Sequence, residues 1–138
     1  GSVCVFLEPI ALDHTRDLYE DGDEEWCAEL TAEHAAVGSA RTYLDGNDLT
    51  IVTWGNGLFM SLRVAQRLAT RGIRPRVVDL RWLAPLPVED VLREARATGR
   101  VLVADETRRT GGVSEGVVAA LVDQGFDGRL VRVEGEDG

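Results

Sequence analysis

The chain of 138 residues is 44% hydrophobic and 28% charged, a composition typical of one soluble globular domain with its own hydrophobic core. The formal net charge of −9 argues against nucleic acid and anionic membranes as partners, so we expect neither. The longest apolar runs are too short to span a bilayer and no segment resembles a signal peptide, which indicates a cytoplasmic protein.

The first forty residues contain one short apolar run and one acidic segment. The run "VCVFLEP", at residues 3–9, predicts a short buried strand that is stopped by proline. Residues 13–33 carry nine carboxylates and a single arginine, Arg16. This charge run predicts a solvated linker, and a docking surface for a basic partner is the alternative. Residues 24–38 leave room for one helical turn or two within this linker.

From residue 40 onward, short apolar runs alternate with amphipathic segments. The run "ARTYLDGNDLTIVTW", at residues 40–54, predicts two strands joined by a hairpin turn at Asp45, Gly46 and Asn47. The helices that follow are predicted at 57–72, 85–99 and 113–125, and the strands that follow at 76–82, 100–106 and 129–133. Two of these helices are expected to bury an apolar stripe each: Leu58, Leu62, Ala65, Leu68 and Ala69 in the first, and Val88, Val91, Leu92 and Ala95 in the second.

This alternation predicts an α/β fold. Strands and helices that follow one another in this way form βαβ units with right-handed crossovers. We therefore expect a three-layer, mainly parallel sheet of roughly five strands, with helices on both faces. The run around "YLDGNDL" adds one antiparallel edge strand to the prediction.

In such a sheet, functional residues gather beyond the carboxyl ends of the strands. The first cluster there is "TWGNG", whose Gly55 and Gly57 partly match the dinucleotide-binding pattern G-x-G-x-x-G. Met60 stands where that pattern needs a small residue, so a tight strand-to-helix turn is the better interpretation and a nucleotide site the alternative.

The second cluster, "DLRWLAP", places Asp79 and Arg81 two residues apart on one side of a predicted strand. This spacing predicts a structural ion pair between them. The alternative is a subunit interface that includes Arg81 and Trp82, because arginine and tryptophan are enriched in buried contacts between subunits.

The third cluster, "DETRRTGG", raises the possibilities of acid–base chemistry and of anion binding. Asp105 and Glu106 are neighbours on a predicted strand and would point to opposite faces, so they are not expected to share a site.

The rest of this cluster opens a predicted helix. Gly111 and Gly112 permit a turn that needs a positive φ, and Thr110 or Ser114 is expected to cap the helix. An anion at the helix mouth, held with Arg108 or Arg109, stays open as the alternative.

The residue inventory restricts catalysis further. All basic residues are arginines, and the absence of lysine excludes a Schiff-base lysine, a P-loop lysine and a Ser–Lys pair. His14 and His34 lie in the acidic segment, far in sequence from the candidate nucleophiles, and no triad is predicted. Cys4 and Cys27 have no metal-binding spacing, and we expect two reduced, mostly buried thiols.

Six runs in this order resemble a known family: "VFLEP", "LTIVTWG", "VVDLRWLAPL", "ATGRVLVADE", "RTGGVSEGVVAAL" and "VRVEGED". Together they are similar to the C-terminal domain of the β subunit, or fused β half, of the thiamine-diphosphate-dependent decarboxylating component of 2-oxo acid dehydrogenase complexes. Transketolase shares this domain more distantly. The most specific parts are "DLR" before "LAPL", and Glu106 followed by Gly111 and Gly112. The acidic segment is longer and more acidic than this family pattern.

The resemblance implies a division into domains. Residues 1–12 would end a preceding pyrimidine-binding domain, residues 13–40 would form an acidic linker, and residues 41–138 would form the transketolase C-terminal-like domain. In this family thiamine diphosphate and its magnesium ion lie between two other domains, which carry the catalytic residues. The resemblance therefore implies a fragment that lacks an active site, binds no cofactor or metal and does not turn over alone.

The resemblance also implies a role in assembly. The family packs as a homodimer or an α/β heterotetramer, and some members dock the subunit-binding domain of the acyltransferase on an acidic surface near the last strand. Asp127 and Glu134 are the matching docking candidates. The interface candidates are Arg81, Trp82, Glu106, Arg108, Gly111 and Gly112. On this interpretation the glycine pair starts a helix near an interface and binds no phosphate.

Two other functions remain open at this point. One is the corresponding domain of a transketolase or a deoxyxylulose-phosphate-synthase type enzyme, against which "VFLEP" and "RTGGVSEG" count. The other is a stand-alone anion-binding α/β module, against which Met60 and the absence of lysine count.

Overall fold

The computed structural model describes residues 1–29, 32, 34–107 and 109–135. The described elements are a 3₁₀ turn at Ile10–Leu12, the strands β1 (Arg41–Tyr43), β2 (Leu49–Thr53), β3 (Pro75–Asp79), β4 (Arg100–Ala104) and β5 (Arg129–Val133), and the helices α1 (Asn56–Ala69), α2 (Val88–Thr98) and α3 (Val113–Asp123). The strands form one sheet in the order β1-β3-β2-β4-β5. β1 runs antiparallel to β3 and every other pair is parallel, which confirms the predicted fold class and its antiparallel edge strand.

The predicted hairpin between the first two strands of the domain is wrong. β2 is flanked by β3 and β4, so it has no free edge for β1, which pairs with the far side of β3 instead. The intervening loop is fixed at the start of β3, where the Arg76 Nε donates to the Gly46 carbonyl at 2.8 Å. The turn residues therefore carry the chain past the end of β3, from β1 on one side to β2 on the other, and form no hairpin between β1 and β2.

The core has one layer on each face of the sheet. On one face, α2 and α3 cover Val52, Val78 and Val103, each of which is fully buried. On the other face, α1 covers Ile51 and Val77. The predicted stripe of α1 is confirmed for Leu58, Leu62 and Ala65, but Leu68 is half-buried and Ala69 is exposed at the end of the helix. In α2, Val91 and Ala95 are buried while Val88 and Leu92 are half-buried.

The strand predicted at residues 3–9 is absent. Val3, Val5 and Phe6 are 96%, 78% and 84% exposed, and this segment pairs with no described strand. A strand needs a neighbouring edge to satisfy its backbone N–H and C=O groups, and the described sheet brings none to this segment.

Residues 13–29, here called the acidic loop, are mostly exposed, as the charge run predicts, but the loop also packs on the domain. Leu18 is buried in the α1 core layer, and the Trp26 ring meets the Phe59 ring edge-on at 5.3 Å. The Asp23 carboxylate accepts N–H groups from four residues, at 2.7–2.9 Å: Leu18, Tyr19, Glu20 and Glu25. Two apolar anchors and one organising carboxylate thus fold the loop onto the domain.

Two smaller predictions about this region concern helical turns and the cysteines. The described residues between 24 and 38 contain no helix, but two isolated turns are closed by hydrogen bonds from the Cys27 N–H to the Glu24 carbonyl and from the Ser39 N–H to the Ala36 carbonyl. Residues 30, 31 and 33 lie outside the described residues. Cys4 and Cys27 are free but exposed rather than buried, since neither lies in one of the two core layers.

Candidate functional site

The loops after β2, β3 and β4 meet at one edge of the sheet, because the three strands are parallel neighbours. The Asn56 amide nitrogen donates to the Glu106 Oε1 at 2.5 Å and so joins the loops after β2 and β4. The Asp105 N–H donates to the Val133 carbonyl at 2.9 Å and adds the end of β5 to the same edge. The three clusters predicted from the sequence therefore lie at a common edge.

The turn after β2 is the tight strand-to-helix connection that the sequence predicts. Gly55 has a φ of 55° and is the N-cap of α1. Gly57 is buried, and a Cβ at its position would collide with the Thr53 hydroxyl. Met60, in contrast, is 53% exposed, so its side chain faces outward rather than towards the sheet.

The cluster after β3 differs from its prediction. β3 ends at Asp79, and Arg81 has a φ of 57°, so the two side chains do not continue one strand face. The Asp79 carboxylate accepts the Arg81 backbone N–H at 3.2 Å, and this contact stands in place of the expected guanidinium–carboxylate pair. Burial raises the pKa of Asp79 above its usual range. Arg81 is exposed and Trp82 half-buried, so both can contact a partner.

Asp105 caps α3 from the end of the preceding strand. Its Oδ2 accepts the Ser114 N–H at 3.3 Å and its Oδ1 accepts the Thr107 N–H at 2.8 Å. Burial acts to raise the pKa of Asp105, but hydrogen bonds from Thr107 and Ser114 outweigh it and lower that pKa. The N-cap residue of α3 is Gly112, which makes no side-chain cap bond. The predicted cap by Thr110 or Ser114 is therefore wrong.

This carboxylate also bears on the anion-binding alternative. An anion at the mouth of α3 would lie beside the ionised Asp105, and the two like charges would repel. Gly111 has a φ of 76° and donates its N–H to the Glu115 Oε2 at 3.0 Å, so a second carboxylate fills the same turn. The predicted positive φ is confirmed at Gly111, whereas Gly112 has an ordinary φ of −84°.

The two docking candidates near the last strand differ in how exposed their carboxylates are. Asp127 is exposed. The Glu134 side chain is only 10% exposed, and its carboxylate lies 2.9 Å from the Arg132 Nε and 3.9 Å from the Arg109 Nε. Arg108 lies outside the described residues.

A buried ion pair at the opposite edge of the sheet was not predicted. Arg76 Nη1 lies 2.6 Å from Glu94 Oε2, and the two side chains are 13% and 9% exposed. The available signal was the spacing of α2, because Glu94 follows Val91 by three residues and precedes Ala95 on the apolar side of the helix. This pair stabilises the loop before β2, and we assign it no catalytic role.

The net charge is confined to one part of the chain. Ten of the 24 carboxylates but only one of the fifteen arginines lie in residues 1–40, which leaves fourteen of each in residues 41–138. Residues 1–40 therefore carry the whole charge of −9, and the α/β domain is neutral. Long-range electrostatic attraction of a basic partner would therefore come mainly from residues 1–40, while an acid near the last strand can act only through local contacts.

The described residues offer no metal site. Among them, no three His, Cys, Asp or Glu side chains are grouped so that they could hold a metal ion. Within the same residues, no helix is long and apolar enough to cross a membrane.

Comparisons with known proteins agree with this fold. Residues 38–137 match the model of the family described as "Transketolase, C-terminal domain". The chain is 34% identical over 120 residues to the β subunit of the pyruvate dehydrogenase E1 component of Bacillus subtilis, covering 87% of this chain and 34% of the relative. It is 31% identical over 121 residues to one subunit of the apulose-4-phosphate transketolase of Phocaeicola vulgatus, covering 88% and 36%.

A solved structure and a longer relative extend this comparison. An inactive β4 tetramer of a split-gene transketolase has a TM-score of 0.71 and 31% identity, covering 77% of this chain and 35% of that one. The 1-deoxy-D-xylulose-5-phosphate synthase of Desulfitobacterium hafniense is 31% identical over 131 residues, which are 94% of this chain and 20% of the relative. The chain thus spans about a third or less of these relatives' lengths. It belongs to the transketolase C-terminal domain family.

Proposed function

We propose that this chain is the assembly and partner-docking domain of a 2-oxo acid dehydrogenase decarboxylating component of the pyruvate or branched-chain type. The observation that carries the proposal is the exposed apolar segment before the domain. Phe6, Leu7 and Ile10 are 84%, 71% and 84% exposed, although the domain behind them has a closed core. A run of exposed apolar side chains of this kind is typical of a segment that packs against a partner. The identity to a pyruvate dehydrogenase β subunit supports the choice of enzyme.

The proposal assigns each part of the chain a place in the parent enzyme. Residues 1–12 end the preceding pyrimidine-binding domain, residues 13–40 link it to the C-terminal domain, and that domain begins at residue 41. The Pro9 ring lies 3.7 Å from the Cβ position of Gly55, at the carboxyl-end edge of the sheet. The preceding domain would therefore approach the edge that carries Arg81 and Glu106.

The parent enzyme would use thiamine diphosphate and a magnesium ion, which supply the carbanion chemistry of 2-oxo acid decarboxylation. We assign the binding of that group to the parent's other domains and no catalytic step to the residues of this chain. Their part is to hold the parent's other chains in place. Arg81, Trp82, Glu106, Gly111 and Gly112 are the interface candidates at or near the shared edge. Arg108, the remaining candidate, lies outside the described residues.

Docking of an acyltransferase subunit-binding domain is the second part of the proposal. Asp127 is exposed beyond α3 and is the better docking residue, because the Glu134 carboxylate is already paired with Arg132. We expect Asp127→Lys to weaken binding of that domain while the fold is unchanged. Asp123→Lys, another reversal of an exposed acid nearby, is the matched control.

The experiment that tests the proposed function uses the parent enzyme, purified through a tag on this chain together with its co-purifying subunits. We expect reduction of an artificial electron acceptor that depends on pyruvate or a branched-chain 2-oxo acid. Turnover that requires a ketose phosphate donor and ignores 2-oxo acids would overturn the assignment.

A C-terminal domain of a split transketolase is the second candidate. It is favoured by the identity to an apulose-4-phosphate transketolase and by the likeness to the split-gene tetramer. Ketol transfer between sugar phosphates by the same purified enzyme would establish this candidate.

A further inference from the structure

The outward face of α1 is a helix face without a partner among the described residues. Met60 and Val64 are 53% and 42% exposed there, and Arg63 and Arg67 lie beside them. The spacings of three and four residues place all four side chains on one side of the helix. That side lies opposite the residues that pack on the sheet, which include Leu62.

The positive charge of this face is not compensated. α1 contains no acidic residue, and no ion pair of the described residues involves Arg63 or Arg67. The Arg63 guanidinium instead lies 5.4 Å from the centre of the Phe59 ring. This contact places the guanidinium against the Phe59 ring, and no described residue accepts a hydrogen bond from it, so its N–H groups can donate to an acidic partner.

The acidic loop lies beside this face, on the same side of the sheet. Leu18 packs in the α1 core layer, and Trp26 meets the ring of Phe59. Glu20 and Asp21 are exposed on the loop. The molecule therefore presents a basic, partly apolar patch next to an acidic patch.

We propose that the α1 face docks the acidic loop of a second copy of this chain, in an arrangement with two-fold symmetry. A two-fold interface must be self-complementary. If a residue of the first copy contacts a given residue of the second, the same pair must also be in contact with the two copies exchanged. Adjacent patches of opposite charge meet this requirement, since each basic patch faces the other copy's acidic patch. Met60 and Val64 provide the apolar centre, and the charges fix the register.

This inference deepens the proposed assembly role and rests on it. The two can nevertheless fail separately. The proposed function is tested by the reaction of the parent enzyme, whereas the docking surface is tested by the association of the 138-residue chain with itself.

The experiment measures the dimer dissociation constant of the full chain by sedimentation equilibrium, at about 0.05 M and about 1 M salt. One variant reverses the charge of α1 with Arg63→Glu and Arg67→Glu. Another reverses the loop with Glu20→Arg and Asp21→Arg. A third carries all four substitutions, so that both patches are reversed together.

We expect the wild-type chain to form dimers that weaken about tenfold at high salt, and each single reversal to weaken them about tenfold at low salt. The combined reversal should restore the affinity of the wild-type chain, because it restores attraction across the two-fold axis. Arg100→Glu with Arg129→Glu, which also replaces two exposed arginines, should leave the dimer unchanged. Circular dichroism of each variant checks that it is folded.

Three results would overturn the docking surface. They are a monomeric wild-type chain at low salt, dimers that the α1 reversal leaves unchanged, and failure of the combined reversal to recover the affinity that the single reversals lose. If the α1 reversal does not change dimer affinity, self-association uses another face, and the proposed enzyme class is unaffected.

Discussion

Different forces stabilise the acidic N-terminal region and the α/β domain. The domain has two apolar layers, one on each face of a sheet whose central residues are fully buried. The acidic loop buries little and is organised by carboxylates that accept backbone N–H groups. The domain should therefore respond mainly to changes of volume in its core, and the loop to changes of charge. The charge distribution has the same division, because the domain is neutral and residues 1–40 carry −9.

The largest difference is expected for apolar truncations. Leu121 is 1% exposed within the larger core layer, and Leu121→Ala should lower the free energy of unfolding by about 3 kcal/mol through lost burial and a cavity. Leu18→Ala removes the same atoms from the loop and should cost about 1 kcal/mol or less, because the loop opens locally. Urea denaturation of the full chain measures both, and equal losses would contradict the division.

A second contrast concerns the two ion pairs. Arg76→Met leaves the buried Glu94 without its closest cation and should lower the free energy of unfolding by about 2 kcal/mol, since Arg93 still contacts that carboxylate. Arg16→Met removes the exposed ion pair with Glu24 and should change the free energy of unfolding by about 0.5 kcal/mol or less. Thermal unfolding at matched salt compares the two variants, and a larger effect of Arg16→Met would refute the interpretation.

The loop should be more sensitive to acid than the core. Desolvation opposes ionisation of Asp23, but N–H groups of Glu25, Glu20, Leu18 and Tyr19 outweigh it and lower its pKa. A lowered pKa means that the stabilisation is present above the unfolded value, about 3.9, and is lost as the pH falls below it. The indole N–H resonance of Trp26 should therefore shift towards its unfolded position before the core resonances change.

Asp23→Asn is the matched control for this titration. It removes the ionisable group and should shift the Trp26 resonance at neutral pH, with little further change on acidification. A titration of Trp26 that is unchanged in Asp23→Asn would assign the acid response to another carboxylate.

The smallest effect is expected at Asp79. Burial raises its pKa, so the native state binds this proton more tightly and loses stability as the pH rises from the unfolded to the folded pKa. Asp79→Asn keeps an oxygen for the Arg81 N–H and removes the buried charge. We expect no loss, or a gain of up to about 1 kcal/mol, at neutral pH, as measured by urea denaturation. A clear loss would mean that the charge itself stabilises the loop after β3.

The sequence predicted the domain well because its signals are local. Apolar runs, a proline at the start of α2 and glycines at helix ends determine the elements from β2 to β5. The edge pairing of β1 was not predicted, since a turn motif does not say which neighbouring edge is free. The packing of the acidic loop on α1 was not predicted either, because Leu18 and Trp26 meet α1 only in the folded chain.

The candidate site was predicted only in part, for a similar reason. The three clusters at the sheet edge follow from the strand order that βαβ units impose. The capping of α3 by Asp105 was missed, because a residue nine positions before Ser114 reaches its N–H only in the folded chain. Arg81 was expected to pair through its side chain, and its positive φ has no signal in the sequence.

The most direct test of the proposed assembly role is isothermal titration calorimetry of the 138-residue chain with thiamine diphosphate and magnesium. We predict no magnesium-dependent binding heat, because the proposed function assigns the cofactor to the parent's other domains and assembly to this one. Saturable binding that requires magnesium and is lost on its removal would contradict this prediction, and would place a cofactor site within this chain.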